Sequence, residues 1–100
     1  MTSTEYKKEW NKLKKELMKD GDPMGLKGCM YMTAQQIVNH TATVDLGWAG
    51  EREEAESKAE GIKATTAWKR FAEAIGVKAT RLEEKENAYY IRHLYMRICY

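Results

Sequence analysis

Long apolar runs and clustered cysteines are both missing from this 100-residue chain, which also has only one proline. No window approaches the roughly 18 consecutive apolar residues that a membrane-spanning helix needs, so a membrane is not among the expected partners. The charged stretch at residues 5–9 has no apolar segment behind it and is not expected to act as a signal peptide. The two cysteines, Cys29 and Cys99, are too few for a typical disulfide-dependent secreted domain. Both are therefore expected to be buried, reduced thiols in a cytoplasmic protein.

Catalytic and metal-binding signatures are also missing. The chain has no Gly-rich phosphate loop, no nucleophile elbow and no H-E-x-x-H motif. Its two serines, Ser3 and Ser57, lie near a terminus and in an acidic stretch, which are poor positions for a nucleophile. The residues that could bind a metal are Cys29, His40, Asp45, His93 and Cys99. No two of them have a short ligand spacing, so we expect no metal. Because the catalytic and cofactor-binding motifs are also missing, we expect no enzymatic activity and no cofactor.

The residues that are present favour one folded domain over residues 1–100. An apolar fraction of 43% with three Trp and six Tyr is enough to form a core. The net charge of +2 is too small to indicate a partner by itself. The charge is nevertheless uneven, because six lysines lie in residues 1–20 and five glutamates lie in residues 51–60.

Helical periodicity is clearest at the N-terminus. Tyr6, Trp10, Leu13 and Leu17 recur at intervals of four, three and four, which predicts a helix over residues 3–19 with one buried stripe. Thr2 with Glu5 is the pattern of a capping box at the helix start. The stretch Asp20-Gly21-Asp22-Pro23 is expected to end the helix.

Period-two alternation follows in residues 37–48. The residues expected to point inward are Val38, His40, Ala42, Val44, Leu46 and Trp48. This alternation predicts a strand, which we expect to pair with residues 28–36 through a turn near Asn39 and His40. A second interpretation makes Thr33 the N-cap of a short helix ending at Asn39. The hairpin is preferred because neighbouring strands usually pair.

Residues 51–75 have two apolar faces instead of one. The first consists of Ala55, Ala59 and Ile62, and the second of Ala64, Trp68, Phe71 and Ile75. Two opposed faces predict two helices, or one kinked helix, with a break near Gly61 and an end at Gly76.

The C-terminal quarter is rich in aromatic and β-branched residues. We expect strands at residues 77–83 and 88–99, joined by a polar loop. The alternative is a helix capped by Thr80 and Glu83. The predicted fold is therefore α+β, in the order helix, hairpin, kinked helix, hairpin, with helices packed on one face of an antiparallel sheet.

A Tyr- and Arg-rich C-terminus favours a protein-binding function. Tyr and Arg are the residues that most often anchor interfaces. The expected contact residues are Tyr90, Arg92, Tyr95, Arg97 and Tyr100. We expect a small inhibitor or adaptor that covers a partner's surface. In size and in its lack of motifs, not in particular residues, the chain resembles accessory proteins of phages and mobile elements, which often block a host or defence protein.

Nucleic-acid binding is the alternative function. It would use a lysine-rich helix face with a basic segment near residue 80, at Lys8, Lys12, Lys15, Lys19, Lys78 and Arg81. Phe71-Ala72, residues 75–77 and Leu82 resemble the middle of a helix-turn-helix, which would require a helix after Thr80. An amphipathic helix with a solvated back and an ordinary helix end at Gly76 would explain the same residues. The sequence leaves the partner's identity and the oligomeric state open.

Overall fold

A computed structural model describes residues 1–77, 79–86 and 88–99, with Cys99 described by its backbone only. Within these ranges the helices are α1 (Ser3–Leu17), α2 (Ala34–Asn39), α3 (Arg52–Lys63) and α4 (Thr66–Ile75), with a 3-10 turn at Ala49–Glu51. The strands are β1 (Met30–Tyr31), β2 (Ala42–Trp48), β3 (Ala79–Glu86) and β4 (Arg92–Cys99). They form an antiparallel sheet in the order β1-β2-β4-β3. The predicted α+β class is confirmed.

Helix α1 begins after Thr2 and buries its side chains as predicted, but only the Thr2 half of the predicted capping box forms, since the Glu5 carboxylate accepts from the Thr2 hydroxyl at 3.1 Å. The Glu5 N–H donates to the Thr2 hydroxyl at 3.2 Å, which satisfies one of the free donors at the helix start. Four residues at successive turns of the helix are buried, namely Tyr6, Trp10, Leu13 and Leu17. The helix ends at Leu17 rather than Lys19, ahead of a turn that includes Asp20 and Gly21, both with positive φ.

The Asp22 carboxylate organises the loop between α1 and β1. It accepts backbone hydrogen bonds from Leu26 and Lys27, each at 2.8 Å. The bond from Leu26 is the largest influence on the carboxyl group, and its pKa lies below the ordinary value. The loop thereby places Leu26 in the core and leads the chain into β1.

The preferred hairpin over residues 28–48 is wrong for its central part. Residues 34–39 form α2, because the Gln36 N–H donates to the Thr33 hydroxyl at 3.1 Å and the Thr33 N–H donates to the Gln36 side chain at 3.0 Å. His40 ends the helix in the left-handed conformation, with φ of +55°. Val38 is consequently exposed instead of inward. Only Met30 and Tyr31 pair with β2, opposite Val44 and Thr43.

A β-bulge changes the alternation within β2. Asp45 pairs with Tyr95 and Gly47 pairs with Leu94, so that Leu46 is the extra residue. Ala42, Val44 and Leu46 are buried as predicted. Trp48 follows the bulge, lies opposite His93 and is 57% exposed. The expectation that Trp48 points inward is wrong because the bulge moves it to the other face.

Two separate helices follow β2, as expected, but the break lies at residues 64–65 instead of Gly61. The Thr65 hydroxyl accepts from the Trp68 N–H at 3.1 Å and donates to the Ile62 carbonyl at 2.7 Å, so one side chain joins both helices. Gly76 ends α4 with φ of +70°, as predicted. Ala64 is exposed, unlike the rest of its predicted face.

The C-terminal hairpin is confirmed, with strand bounds that differ from those expected. β3 extends to Glu86, and β4 begins at Arg92 instead of residue 88. Because residues 79–86 are a strand, the helix that a helix-turn-helix requires after Thr80 does not form there, and that interpretation is wrong. Lys78 lies outside the described residues.

One face of the sheet packs against the helices. The β4 side chains Leu94, Met96 and Ile98 join Ala42 and Val44 in a single buried cluster. Helices α1 and α4 meet in the same cluster, where the Trp10 and Phe71 rings lie 5.9 Å apart. In the described ranges, no helix is long and apolar enough to cross a membrane.

Removing a core side chain from β4 tests this packing. We expect Met96→Ala to lower the free energy of unfolding by about 2–5 kcal/mol, because the buried thioether leaves a cavity. Lys85→Ala, at an exposed position of the same sheet, is the control and should change it by about 0.5 kcal/mol or less. Urea unfolding measures both. Equal effects of the two variants would contradict the described strand register.

Candidate functional site

The second face of the sheet is lined by polar and aromatic side chains, and we call it the open face. Side chains alternate along strands, so residues paired across the sheet share a face. The open face comprises Tyr31, Thr43, Asp45, Arg81, Glu83, Lys85, His93, Tyr95 and Arg97. Most of these side chains remain partly exposed.

A cleft of about 510 Å³ crosses the open face. Gln36 and Asn39 of α2 border it on one side, and Lys85 and Glu86 of the β3–β4 hairpin border it on the other. The Gln36 amide donates to the Thr43 hydroxyl at 2.6 Å, which fixes α2 against the sheet. The lining therefore offers amides, hydroxyls and charges of both signs, which suits a polar ligand segment.

An aspartate–histidine pair lies at the bulge. The His93 Nδ1 is 2.9 Å from the Asp45 Oδ1, and the same oxygen accepts from the Gly47 N–H at 2.9 Å. The His93 ring stacks on Tyr95 with centroids 6.2 Å apart. Among the described residues, no hydroxyl or thiol is hydrogen-bonded to the imidazole. In this geometry the pair holds the bulge in place and orients Tyr95.

Two tyrosines of the open face have a pKa above the ordinary value for a phenol. Burial, followed by the nearby Tyr95 and Asp45, raises the pKa of Tyr31 above its ordinary 10.0. Burial and the Asp45 carboxylate likewise raise the pKa of Tyr95. Both phenols are therefore hydrogen-bond donors at neutral pH.

Three charged residues lie together at the β3–β4 pair. Arg81 is directly opposite Arg97, and Glu83 follows on the same face. The Glu83 Oε1 is 3.5 Å from the Arg81 Nη2, and its Oε2 is 3.6 Å from the Arg97 Nη1. One carboxylate thus bridges two guanidinium groups at distances longer than a charge-assisted hydrogen bond.

Exposed apolar residues gather at the end of the sheet where β3 turns into β4. We call Trp48, Tyr89, Tyr90 and Ile91 the apolar rim. Tyr90 is 83% exposed and has φ of +61°, a left-handed conformation that bulky residues rarely adopt. Its strain is not compensated by burial, and strain of this kind is concentrated at functional sites.

Gly50 supports the position of Trp48. A Cβ at residue 50 would lie 2.6 Å from two atoms of the Trp48 indole. Glycine therefore allows the indole to lie against the backbone of the 3-10 turn. The exposed tryptophan is held by the chain instead of projecting freely.

The five predicted contact residues do not form one surface. Tyr95 and Arg97 lie on the open face, and Tyr90 belongs to the apolar rim. Arg92 lies on the other face by alternation and is 3.4 Å from Glu84. Tyr100 lies outside the described residues.

Sequence reasoning missed Tyr31, Asp45 and Glu83 as parts of the site. Long-range register brings them together, which local patterns do not show. Gln36 could have been predicted, because the spacing of Thr33 and Gln36 is that of a capping box and indicates the start of α2.

The predicted nucleic-acid-binding residues are divided by the sheet. Lys8, Lys12 and Lys15 are exposed on the side of α1 opposite its buried stripe, and Lys19 is exposed in the turn that follows the helix. Arg81 is on the open face by strand register and borders a cavity shared with Glu56 and Glu60 of α3. The set predicted from sequence is therefore not one continuous basic surface.

The described residues contain no group of three or more His, Cys, Asp and Glu side chains that could hold a metal ion. Cys29 is a free, half-buried thiol, and burial raises its pKa. The Cys99 side chain lies outside the described part of the structure.

Comparison with known proteins gave no match to the chain among family models, curated proteins or solved structures.

The two raised tyrosine pKa values predict an alkaline effect on stability. The unfolded chain loses its phenol protons at lower pH than the folded chain, so the free energy of unfolding should fall as pH rises above about 10. We expect the double variant Tyr31→Phe, Tyr95→Phe to lose less stability than wild type between about pH 9 and about pH 11. Urea unfolding measures this, with a neutral-pH series to subtract any general effect. An equal or steeper fall in the variant would contradict the assignment.

A methyl group at residue 50 tests the position of Trp48. We expect Gly50→Ala to displace the indole and to change acrylamide quenching of tryptophan fluorescence, because Trp10 and Trp68 are buried and quenching reports mainly Trp48. Gly61→Ala is the matched control, because the described atoms leave the space of its Cβ open. Unchanged quenching in Gly50→Ala, or an equal change in both variants, would argue against this packing.

Proposed function

We propose that this protein is a small non-catalytic binding protein that covers a surface of a protein partner with its open face and apolar rim. The observation that carries the proposal is that helices α1, α3 and α4 pack on one face of the sheet, while the other bears a cleft bordered by α2 and adjoins exposed aromatic residues. Exposed apolar groups beside a polar cleft are typical of interfaces between proteins.

The residue types on this side support a protein partner. Tyr31, Tyr95 and Arg97 line the cleft. Trp48 and Tyr90 are exposed at the end of the sheet where β3 turns into β4. Tyr, Trp and Arg dominate interface hot spots because they combine large contact area with hydrogen bonding. The cleft, the Asp45–His93 pair and the capped helix α2 hold several of these groups in place before a partner arrives, which lowers the entropy cost of binding.

More specifically, we propose that it is an accessory protein that blocks a host or defence protein. We propose the cytoplasm as its compartment, on the sequence argument that two cysteines are too few for a typical secreted domain.

Nucleic-acid binding is the second candidate, and the observation that favours it is the row of exposed lysines on α1. Glu5, Glu9 and Glu16 lie on the same helix, and Arg70 already pairs with Glu16 at 2.9 Å. The lysines lack the bidentate geometry with which arginine recognises phosphate. We therefore place this candidate second.

A capture experiment with paired variants tests the proposed function. Tagged wild-type protein is compared with the variant Tyr95→Ala, Arg97→Ala on the open face and with the control Lys12→Ala, Lys15→Ala on α1. We expect quantitative mass spectrometry to show a protein retained by wild type and the α1 control but lost from the open-face variant. Circular dichroism melts establish that both variants fold.

The captured protein is then purified and mixed with wild type, and hydrogen exchange should show protection over β4 and residues 88–91. Retention of every partner by the open-face variant, or the absence of any partner, would reject the proposal. Binding of labelled DNA that is lost in the α1 variant and falls steeply between about 50 and 200 mM salt would favour the second candidate instead.

A further inference from the structure

Two arginines face each other across the β3–β4 pair on the open face. Arg81 and Arg97 are directly opposed in the strand register, and their side chains are 63% and 42% exposed. Cβ atoms of directly opposed residues are about 5 Å apart, and like charges at such positions are destabilising. Substitution of either arginine by a neutral residue would remove this repulsion.

The neighbouring carboxylate only partly balances them. Glu83 is 3.5 Å from Arg81 and 3.6 Å from Arg97, and it contributes one negative charge against two positive charges. The Arg97 Nε is buried and has no hydrogen-bond partner within the described ranges. Together the three side chains therefore carry an excess of one positive charge.

We propose that the Arg81–Arg97 pair binds the carboxylate of an acidic side chain on the protein partner. This inference rests on the proposed function and specifies the chemistry that the open face recognises. A second carboxylate would give each guanidinium its own counter-charge, and arginine binds carboxylates through paired N–H donors of matching geometry. The expected anchor is an Asp or Glu in an extended segment that enters the cleft.

The surroundings favour one carboxylate over a chain of phosphates. Glu83 lies between the arginines, Asp45 shares the open face, and Glu86 lines the cleft. These acidic groups would repel successive phosphates of a nucleic acid. An acidic side chain in a peptide brings a single charge, and its backbone amides can use the Tyr, Gln and Asn groups of the cleft.

The apolar rim indicates that the carboxylate comes from a polypeptide. The rim adjoins the cleft through Ala88, which lines it, and extends through Tyr89, Tyr90 and Ile91. A free small carboxylate would occupy the cleft without reaching these residues. A peptide segment could contact the arginine pair and the rim together.

A displayed peptide library tests the inference. Random short peptides on yeast are selected against full-length wild type, and the bound sequences are read. We expect the selected peptides to share an Asp or Glu whose replacement by Asn or Gln weakens binding by about 10- to 100-fold, because a charge-assisted bidentate contact is lost. Arg97→Gln and Arg81→Gln should weaken the same peptides. Arg70→Gln, which removes the arginine paired with Glu16 on the helical side, is the control and should not.

A double-mutant cycle between the peptide acid and Arg97 makes the result specific. The combined change should cost clearly less than the product of the two separate fold-changes. Additive effects, selected peptides without a required acid, or failure to select any peptide would overturn the inference. Acid-independent peptides that still require Tyr95 would leave the proposed function standing. Free glutarate that displaces the peptides at micromolar concentration would indicate a small-molecule site and would also overturn it.

Discussion

The antiparallel pairing of β2 with β4 is the contact on which the rest of the structure depends. It pairs Asp45 with Tyr95 and Val44 with Met96, residues that are far apart in the sequence. Forming this pair therefore costs the conformational entropy of closing a long loop. The core side of this pair supplies Ala42, Val44, Met96 and Ile98, against which the helices bury their stripes. Its other side forms the floor of the open face. Core and candidate site are therefore two faces of the same strand pair, and a change of register by one residue would exchange them.

The bulge in β2 reverses which face of the sheet the alternate side chains of this strand occupy. Before Leu46, the alternation of the strand follows the sequence pattern, and after it the pattern is reversed, so Trp48 reaches the open-face side. The Asp45 carboxylate stabilises the irregular backbone by accepting from Gly47, and it also pairs with His93. A single side chain thereby connects the geometry of the bulge with the position of Tyr95 on the open face.

Local signals predicted the elements that depend on local chemistry. The apolar stripe of α1, the helix end at Gly76 and the aromatic hairpin were all recognisable, because propensity and packing agree there. The segment at residues 34–40 was mispredicted because it satisfies two patterns. Its period-two alternation indicates a strand, but the reciprocal Thr33–Gln36 bonds and the left-handed His40 make a helix locally complete. For the candidate site, Tyr95 and Arg97 could be predicted from residue type. Their neighbours Tyr31, Arg81 and Glu83 come from three-dimensional register, which a sequence pattern does not specify.

The helices and the C-terminal hairpin differ in the distances of the ion pairs that their arginines and lysines form. On the helices, the ion pairs Arg52–Glu56, Lys63–Glu60 and Arg70–Glu16 have distances of 2.8–2.9 Å. On the C-terminal hairpin, the corresponding distances from Arg81, Arg92 and Arg97 are 3.4–3.6 Å. The hairpin also contains the left-handed Tyr90 and the opposed arginines. Exposed ion pairs contribute little to stability, so this difference has little effect on the free energy of unfolding. The strained Tyr90 and the exposed aromatic groups lie where β3 turns into β4, and the opposed arginines lie towards the other end of the same two strands. Natural sequences depart from local consistency mainly at functional sites, and here the departures share the strands that form the open face.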